Sequence, residues 1–371
     1  MTTSFRRTLH AIALLACAAL LIAQVIAQAQ LQPALKTRRV VWVMTDGMRW
    51  QEIFAGADAG LITDALRKDF WRETAEERRS LVMPFLWSTV AKNGQIYGNR
   101  ALGSEASVTN GLNFSYPGYN ESLTGFADPR IDSNDKKYNP NTTVLEWLHG
   151  KPAYRGKVAA FGAWDLFPWI FNAPRAGFTV NAGFEPLTGF PGNPTIQLLN
   201  ELKADSPHDW DDEVYDNLTF HTAMEYLRQR KPRVMFLSLG ETDDWAHAGK
   251  YGEYLRSARR ADRDIQALWE TLQAMPEYRG VTTLIISTDH GRGDGEAWKS
   301  HGVKVPESKN IWMAFMGPDT PALGERKLVA AVTQSQIAAT LAALLGEDYH
   351  GAVPTSGAVI ADVLPKVGGK F

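Results

Sequence analysis

Short runs of β-branched and apolar residues recur along the chain, and helical patterns lie between them. The runs are residues 40–44, 158–161, 234–239, 282–287 and 311–316. Runs this short and this apolar are typical of strands that are buried on both faces of a parallel sheet. The helical patterns are residues 81–91, 254–275 and 334–345. This alternation predicts an α/β fold with a doubly wound, mostly parallel central sheet and helices on both of its faces.

The interval from residue 118 to residue 231 differs from the rest of the chain. It is rich in Pro, Gly, Asn and aromatic residues, and its periodicity is weaker. We expect it to form an inserted cap or long loops over the carboxyl ends of the strands, where ligands of such sheets bind. Within it, residues 205–216 are strongly acidic, which favours a solvated loop over a calcium site.

The first 29 residues have the features of a secretory signal peptide. Arg6 and Arg7 form a basic start, and residues 11–22 are apolar and uncharged. Residues 27–29, Ala-Gln-Ala, match a small-x-small cleavage site. An uncleaved membrane anchor is the alternative, but no later segment approaches the ~20 apolar residues that a membrane span needs. The sequence therefore predicts a periplasmic or extracellular protein.

Composition excludes several kinds of site. The chain has 39 Lys and Arg against 41 Asp and Glu, a formal charge of −2, so no basic excess indicates nucleic-acid binding. Cys17 is the only cysteine, which excludes a disulfide framework and a cysteine-ligated zinc or iron–sulfur site. Any metal ion must therefore be held by His, Asp, Glu or hydroxyl oxygen. Nothing in the sequence indicates an oligomeric state.

Side chains that bind metals follow three of the predicted strands. Asp46 follows the first run, and Asp289 and His290 follow the fourth. Asp243 and His247 follow the third and are four residues apart, so one helical turn would bring them to the same side. Two-metal hydrolases need two sets of oxygen and imidazole ligands about 4 Å apart. The full candidate set is Asp46, Ser115, Asp243, His247, Asp289, His290 and His301.

The order of these residues resembles the alkaline phosphatase superfamily over nearly the whole mature chain. The most specific pieces are Asp243 with His247, Ser-Thr-Asp-His-Gly at residues 287–291, and His301-Gly302. The resemblance implies that residues 30–371 form one catalytic domain. It also implies one metal ion on Asp243, His247 and His301, and a second on Asp46, Asp289, His290 and the nucleophile.

A second resemblance concerns the nucleophile. Ser-Tyr-Pro-Gly at residues 115–118, followed by Leu-Thr-Gly at 123–125, is similar to the Thr-Phe-Pro-Asn…Thr-Gly nucleophile segment of nucleotide pyrophosphatase/phosphodiesterases. This match puts Ser115 at the nucleophile position. Serine stands in place of threonine, and Gly118 stands in place of asparagine. Ser122 and Thr124 remain alternatives for the nucleophile.

Two alternatives also remain among the metal ligands. His350 follows the last helical pattern in a His-Gly pair, as does the last metal histidine of the diesterase branch. We favour His301 because a predicted strand that ends in Gly317-Pro318 lies downstream of it. Asp244 could replace Asp243, but only Asp243 has the i,i+4 spacing to His247.

The resemblance implies a secreted phosphoric ester hydrolase, a phosphatase or phosphodiesterase, that uses two divalent metal ions. Its substrate would be a small-molecule phosphate ester, attacked by Ser115 to give a covalent phosphoseryl intermediate. Zinc suits the Asp and His ligands best, and manganese is the alternative. The alternatives that remain are a sulfatase, a phosphoethanolamine-type transferase, and a secreted glycan-binding protein that uses the aromatic residues of the cap.

The predicted signal peptide can be tested by determining the first residue of the mature protein. We expect the mature protein to begin at or near Gln30, because cleavage would follow the Ala-Gln-Ala site. N-terminal sequencing of protein from the periplasmic or extracellular fraction measures this. A soluble cytoplasmic protein that retains Met1 would contradict it.

Overall fold

An eight-stranded sheet runs through the centre of the protein. The structure, a computed structural model, describes residues 34–366. The strands are β1 (Arg39–Thr45), β2 (Gln95–Tyr97), β3 (Ala106–Ser107), β4 (Val158–Gly162), β5 (Thr179–Ala182), β6 (Val234–Leu239), β7 (Thr282–Thr288), β8 (Met313–Met316), β9 (Gly324–Glu325) and β10 (Val332–Thr333). The order across the main sheet is β5-β4-β6-β1-β7-β8-β2-β9, and β3 pairs with β10 in a second, two-stranded sheet.

Helices cover both faces of the main sheet. The α-helices are α1 (Trp50–Ala55), α2 (Asp64–Phe70), α3 (Ala75–Val82), α4 (Ala91–Asn93), α5 (Ser115–Thr124), α6 (Val144–His149), α7 (Phe167–Ile170), α8 (Ala173–Ala176), α9 (Pro194–Asp205), α10 (Asp216–Arg230), α11 (Glu241–His247), α12 (Tyr251–Ala274), α13 (Ile337–Leu344) and α14 (Tyr349–Ala352). The sheets and these helices belong to one compact unit, Lys36–Leu364.

Two hydrophobic cores form because the side chains of each strand alternate between the faces of the sheet. In β1, Val41 and Val43 face the core that contains side chains of α1, α10 and α12. Val40, Trp42 and Met44 face the core that contains side chains of α5, α6 and α13. The prediction of a mostly parallel α/β sheet with helices on both faces is thus confirmed.

The prediction for residues 311–316 was wrong in direction. The strand there, β8, begins at Met313 and runs antiparallel to both of its neighbours, β7 and β2. Ile311 lies before the strand, and its N–H donates to the carbonyl of Ala106 instead. A buried apolar run predicts a strand but not its direction, because direction depends on how the connecting loop returns to the sheet.

The helix expected over residues 81–91 is broken. Helix α3 ends at Val82, a π-helical turn follows at Leu86–Val90, and α4 completes the segment. Pro84 lacks the N–H that a continuous helix needs. The carboxylate of Asp262 accepts the next two backbone N–H groups, those of Phe85 at 2.7 Å and Leu86 at 2.8 Å, and so stabilises the new start. The final helix is likewise split, since Gln334–Gln336 is a 3₁₀ turn.

The interval expected to form a cap, residues 118–231, contributes in part to the main sheet. Strand β4 lies between β5 and β6, and helix α10 packs in the core beneath them. Irregular backbone is confined to shorter stretches, notably residues 125–143 and 206–215. A cap built from these stretches stays a prediction.

No helix within residues 34–366 has both the length and the apolar character required to cross a membrane. The predicted signal peptide, residues 1–29, lies outside the described residues.

Candidate metal centre

The parallel pairing of three central strands brings the candidate carboxylates to one edge of the sheet. Strand β1 pairs with β6 on one side and with β7 on the other, and all three run in the same direction. The last residue of β1, Thr45, stands opposite Leu239 and Thr288, the last residues of its two neighbours. Asp46 and Asp289 are therefore the first residues beyond adjacent strand ends, and α11 begins just beyond the third.

The first candidate metal group consists of Asp243, His247 and His301. Helix α11 places His247 Nε2 3.0 Å from Asp243 Oδ2, as the i,i+4 spacing predicts. His301 comes from the loop between the 3₁₀ turns Gly295–Lys299 and Pro306–Lys309, and its Nε2 lies 2.9 Å from His247 Nε2. One ligand atom from each residue lies within 4.8 Å of the others. The His247 side chain is about half exposed, so this group faces solvent.

The second group is centred on the fully buried His290. Its Nε2 lies 3.4 Å from Asp46 Oδ1, 3.4 Å from Asp289 Oδ2 and 3.9 Å from Asp243 Oδ1. The other ring nitrogen, Nδ1, lies 2.9 Å from the carbonyl of Gly291, so it donates there and turns Nε2 toward the carboxylates. Asp46, Asp243 and His290 form a triple with ligand atoms within 4.8 Å, and Asp289 lies at its border. Asp243 therefore belongs to both groups.

Ser115 is the first residue of α5, and its hydroxyl points at the second group. Ser115 Oγ lies 3.3 Å from His290 Nε2, and the residue is buried. The helix can come this close because residue 118 is glycine: a Cβ at Gly118 would lie 2.5 Å from the carbonyl oxygen of Asp289. This contact gives a physical reason for glycine where the similar nucleophile segment has asparagine.

The alternative nucleophiles lie elsewhere on the same helix. The hydroxyl of Ser122 donates to the carbonyl of Gly118 at 3.0 Å, and that of Thr124 donates to the carbonyl of Asn120 at 2.7 Å. Both are hydrogen bonds of the helix to its own preceding turn. Of the three hydroxyls considered, that of Ser115 contacts His290.

The alternative metal ligands also lie outside both groups. His350, in the short helix α14, has its Nδ1 3.3 Å from Ser356 Oγ. Asp244 lies beside Glu213, and burial and the neighbouring charge of Asp243 raise its pKa to about 8. The structure thus places His301 and Asp243, and neither alternative, at the candidate centre.

Tyr119 was not among the predicted site residues, but its side chain is hydrogen-bonded to Asp46. Its buried hydroxyl donates to Asp46 Oδ2 at 2.8 Å and lies 2.7 Å from Ser238 Oγ. Tyr119 is four residues after Ser115, so helical spacing puts both side chains on one face of α5. That spacing was the signal that could have found it.

Arg292 is a second residue that was not among the predicted site residues. It is almost fully buried and its guanidinium contacts Asp243 Oδ1. Two further hydrogen bonds fix it, from Nε to the carbonyl of Trp298 at 2.9 Å and from Nη2 to the carbonyl of Lys299 at 2.6 Å. Arg292 therefore links Asp243 to the loop that carries His301. Sequence spacing alone does not reveal this contact, because it joins the segment after β7 to helix α11, 49 residues apart in the sequence.

The surroundings of the centre shift the pKa values of His290 and His301 in opposite directions. Burial alone would lower the pKa of His290, but the carboxylates of Asp289, Asp46 and Asp243 outweigh it and raise this pKa to about 9. Burial and the cations His290 and Arg292 lower the pKa of His301 to about 2. Burial, together with the charge of Asp46, raises the pKa of Asp289. The surrounding carboxylates therefore favour the protonated form of His290, whereas burial and neighbouring cations favour the neutral form of His301.

The donor atoms suit divalent metal ions. Asp46 Oδ1 and Asp289 Oδ2 are buried carboxylate oxygens that accept no hydrogen bond from any residue in 34–366. Burying such an oxygen without a partner is costly, and a bound cation would supply the missing interaction. Neutral imidazole and carboxylate together are a ligand set typical of zinc and of related divalent ions.

Most of the chain matches a known protein family. The sequence model of the family described as type I phosphodiesterase / nucleotide pyrophosphatase matches residues 40–308, which is more than half of the chain. This chain belongs to that family. No curated protein sequence matches the chain at a significant level.

Solved structures show the same fold in members of the alkaline phosphatase superfamily. Alkaline phosphatase PafA is 12% identical with a TM-score of 0.57, over 90% of this chain and 99% of that one. The phosphonate monoester hydrolase of Agrobacterium radiobacter is 14% identical with a TM-score of 0.56, over 90% and 79%. A 2-O GAG sulfatase is 15% identical with a TM-score of 0.54, over 90% and 76%. The predicted superfamily is confirmed, and the proteins that share its fold include an alkaline phosphatase, a phosphonate monoester hydrolase and a sulfatase.

The charge arrangement predicts how the metal-free protein titrates. We expect the imidazole of His290 to be protonated at pH 7 with a midpoint near pH 9, and that of His301 to stay neutral at pH 7. Imidazole ¹⁵N chemical shifts of labelled, metal-free protein measure both. Asp289→Asn should lower the His290 midpoint, because it removes one of the charges that raise it. A His290 midpoint below pH 7 would show that burial, and not the carboxylates, dominates.

Proposed function

We propose that this protein is an exported two-metal phosphoric ester hydrolase that uses Ser115 as its nucleophile. The observation that carries the proposal is the position of Ser115 Oγ, 3.3 Å from His290 Nε2, where two Asp/His groups meet through Asp243. A serine hydroxyl is a weak nucleophile until its pKa is lowered or a base accepts its proton. A metal centre at this position would lower that pKa.

In this proposal Asp243, His247 and His301 hold one metal ion, and Asp46, Asp289, His290 and Ser115 hold the other. We propose zinc, with manganese as the alternative, because the ligands are carboxylates and imidazoles. When bound, the two ions lower the pKa of the hydroxyl, neutralise the leaving oxygen and position the phosphoryl group. Binding must displace the proton of His290, so we expect metal affinity to rise with pH toward pH 9.

The protein side chains then have separate tasks. Ser115 Oγ releases its proton to solvent and attacks phosphorus, and the new Oγ–P bond forms as the bond from phosphorus to the leaving alkoxide breaks. The alkoxide takes up a proton from solvent, and water then cleaves the phosphoseryl ester and regenerates Ser115. Tyr119 and Arg292 each hold one oxygen of a ligand carboxylate, so that Asp46 and Asp243 keep their orientation through the cycle.

Export is part of the proposal. It is supported by the basic start at Arg6 and Arg7, the apolar stretch over residues 11–22, and the location of the single cysteine within the predicted leader.

A sulfuric ester hydrolase is the second candidate, because a 2-O GAG sulfatase shares the fold. Two observations support the phosphoric ester: the family model is that of phosphodiesterases, and two Asp/His groups that could each hold a metal ion share Asp243. Residues 115–119 partly resemble the segment that sulfatases modify to formylglycine, but that segment has arginine where this chain has Tyr119. The hydroxyl of Tyr119 donates to Asp46 instead.

The nucleophile is tested by Ser115→Ala. We expect turnover of nitrophenyl phosphate mono- or diesters to fall by about 10³-fold or more, because the attacking atom is removed. Bound zinc should fall little, since six of the seven proposed ligand side chains remain. Turnover and zinc content are measured in the same preparation, with nitrophenyl sulfate as the comparison substrate.

Ser122→Ala is the matched control. It removes a hydroxyl from the same buried helix, but one that donates to Gly118 and not toward His290, so turnover should stay near that of the unaltered protein. Full turnover by Ser115→Ala would reject the proposed nucleophile. Faster turnover of the sulfate than of either phosphate ester would favour the second candidate.

A further inference from the structure

Helix α5 carries a buried carboxylate whose partners lie in the loop that precedes the helix. Glu121 is fully buried, six residues after Ser115. Its Oε1 accepts the backbone N–H of Thr109 at 3.0 Å and the Thr109 hydroxyl at 2.8 Å. Its Oε2 accepts the backbone N–H groups of Thr109 and Asn110 at 2.9 and 3.0 Å, and the side-chain amide of Asn110 at 3.0 Å. Both carboxylate oxygens are therefore committed to one loop.

The same loop continues into the nucleophile. Asn110, held by Glu121, uses its own Oδ1 to accept the backbone N–H groups of Leu112 at 2.8 Å and Asn113 at 2.9 Å. Asn113 has φ +55°, in the left-handed region that residues other than glycine rarely adopt. Such a conformation persists only where its surroundings enforce it. Phe114 then caps α5 in an extended conformation, and Ser115 is the first helical residue.

These hydrogen bonds connect Glu121 through Asn110 to Asn113, which lies two residues before Ser115. We propose that Glu121 is a positioning residue that fixes where the Ser115 hydroxyl stands relative to His290. This inference rests on the proposed function, in which Ser115 is the nucleophile. Glu121 does not itself contact the candidate metal ligands; it acts on the backbone that leads into the nucleophile.

The chemistry of the contacts requires a carboxylate. All of Glu121's partners among the described residues are donors: backbone N–H groups, a hydroxyl and a side-chain amide. A carboxylate offers acceptor sites only. The side-chain amide of glutamine would place its own N–H groups against the N–H and hydroxyl donors of Thr109 and Asn110. Glu121→Gln keeps the shape of the side chain but leaves at least one of these groups unpaired. The turn at Asn113 then loses part of its support.

The test compares kcat and KM of the zinc-loaded, full-length protein with and without Glu121→Gln. We expect kcat to fall by about 10- to 100-fold, because small displacements of a reacting group cost this much. The KM should change less than about twofold, and zinc content should not change, since no proposed ligand is altered. Unchanged kcat in a folded, zinc-loaded Glu121→Gln protein would overturn the proposal.

Asp262→Asn is the control for lost stability. Asp262 is also a buried carboxylate that accepts two backbone N–H groups, those of Phe85 and Leu86, but it holds a helix start and not the nucleophile loop. We expect this variant to unfold at a lower temperature yet to keep its kcat below that temperature. Equal loss of kcat in both variants would mean that Glu121 acts only through general stability, and would also overturn the proposal.

Asn110→Ala tests the same series of hydrogen bonds if Glu121→Gln does not fold. It leaves Glu121 paired with Thr109 and removes the acceptor for Asn113, so kcat should again fall with little change in KM. A normal kcat in Asn110→Ala would contradict the proposal.

The Ser115→Ala variant, measured alongside, separates the proposed nucleophile from the proposed positioning role. If Ser115→Ala stays active, the nucleophile is wrong; if it is inactive while Glu121→Gln and Asn110→Ala are normal, only the positioning role is wrong.

Discussion

The parallel hydrogen bonding of β1 to both β6 and β7 is the constraint on which the candidate centre depends. It places the three strand ends level with one another, so that Asp46, the start of α11 and Asp289 emerge side by side. A slip of one residue in either pairing would turn side chains to the opposite face and separate the groups. The hydrophobic cores on both sides of the sheet secure this register, because every residue of β1 after Arg39 is buried.

The cost of this arrangement is electrostatic. Three aspartates lie within a few ångströms of one imidazole, in surroundings that are largely buried. Arg292, bound to Asp243, and a protonated His290 offset part of this repulsion in the metal-free protein. Divalent cations would offset the rest, and their binding would release the proton from His290. Affinity for metal and activation of Ser115 would then arise from the same concentration of negative charge.

Much of the fold and the candidate centre could be predicted from local patterns. Buried apolar runs predicted the strands, and the residues that follow them are those the structure brings together. The spacing of Asp243 and His247 predicted their contact, because a helical turn is a local structure. The direction of β8 was not predicted, since it depends on the neighbouring strands. The break at Pro84 could have been predicted from the proline itself. The support of the new helix start by Asp262 could not, because Asp262 is distant in the sequence. Arg292 and Glu121 were not identified because their partners lie in other segments of the chain, whereas Tyr119 could have been found from its helical spacing to Ser115.

The proposed function requires two metal ions side by side at this edge of the sheet. Anomalous diffraction at the zinc absorption edge, from crystals of zinc-loaded protein, would locate them. We expect two peaks about 4 Å apart, one bound by Asp243, His247 and His301 and the other by Asp46, Asp289, His290 and Ser115. A single peak in fully zinc-loaded crystals, or peaks bound by other residues, would contradict it.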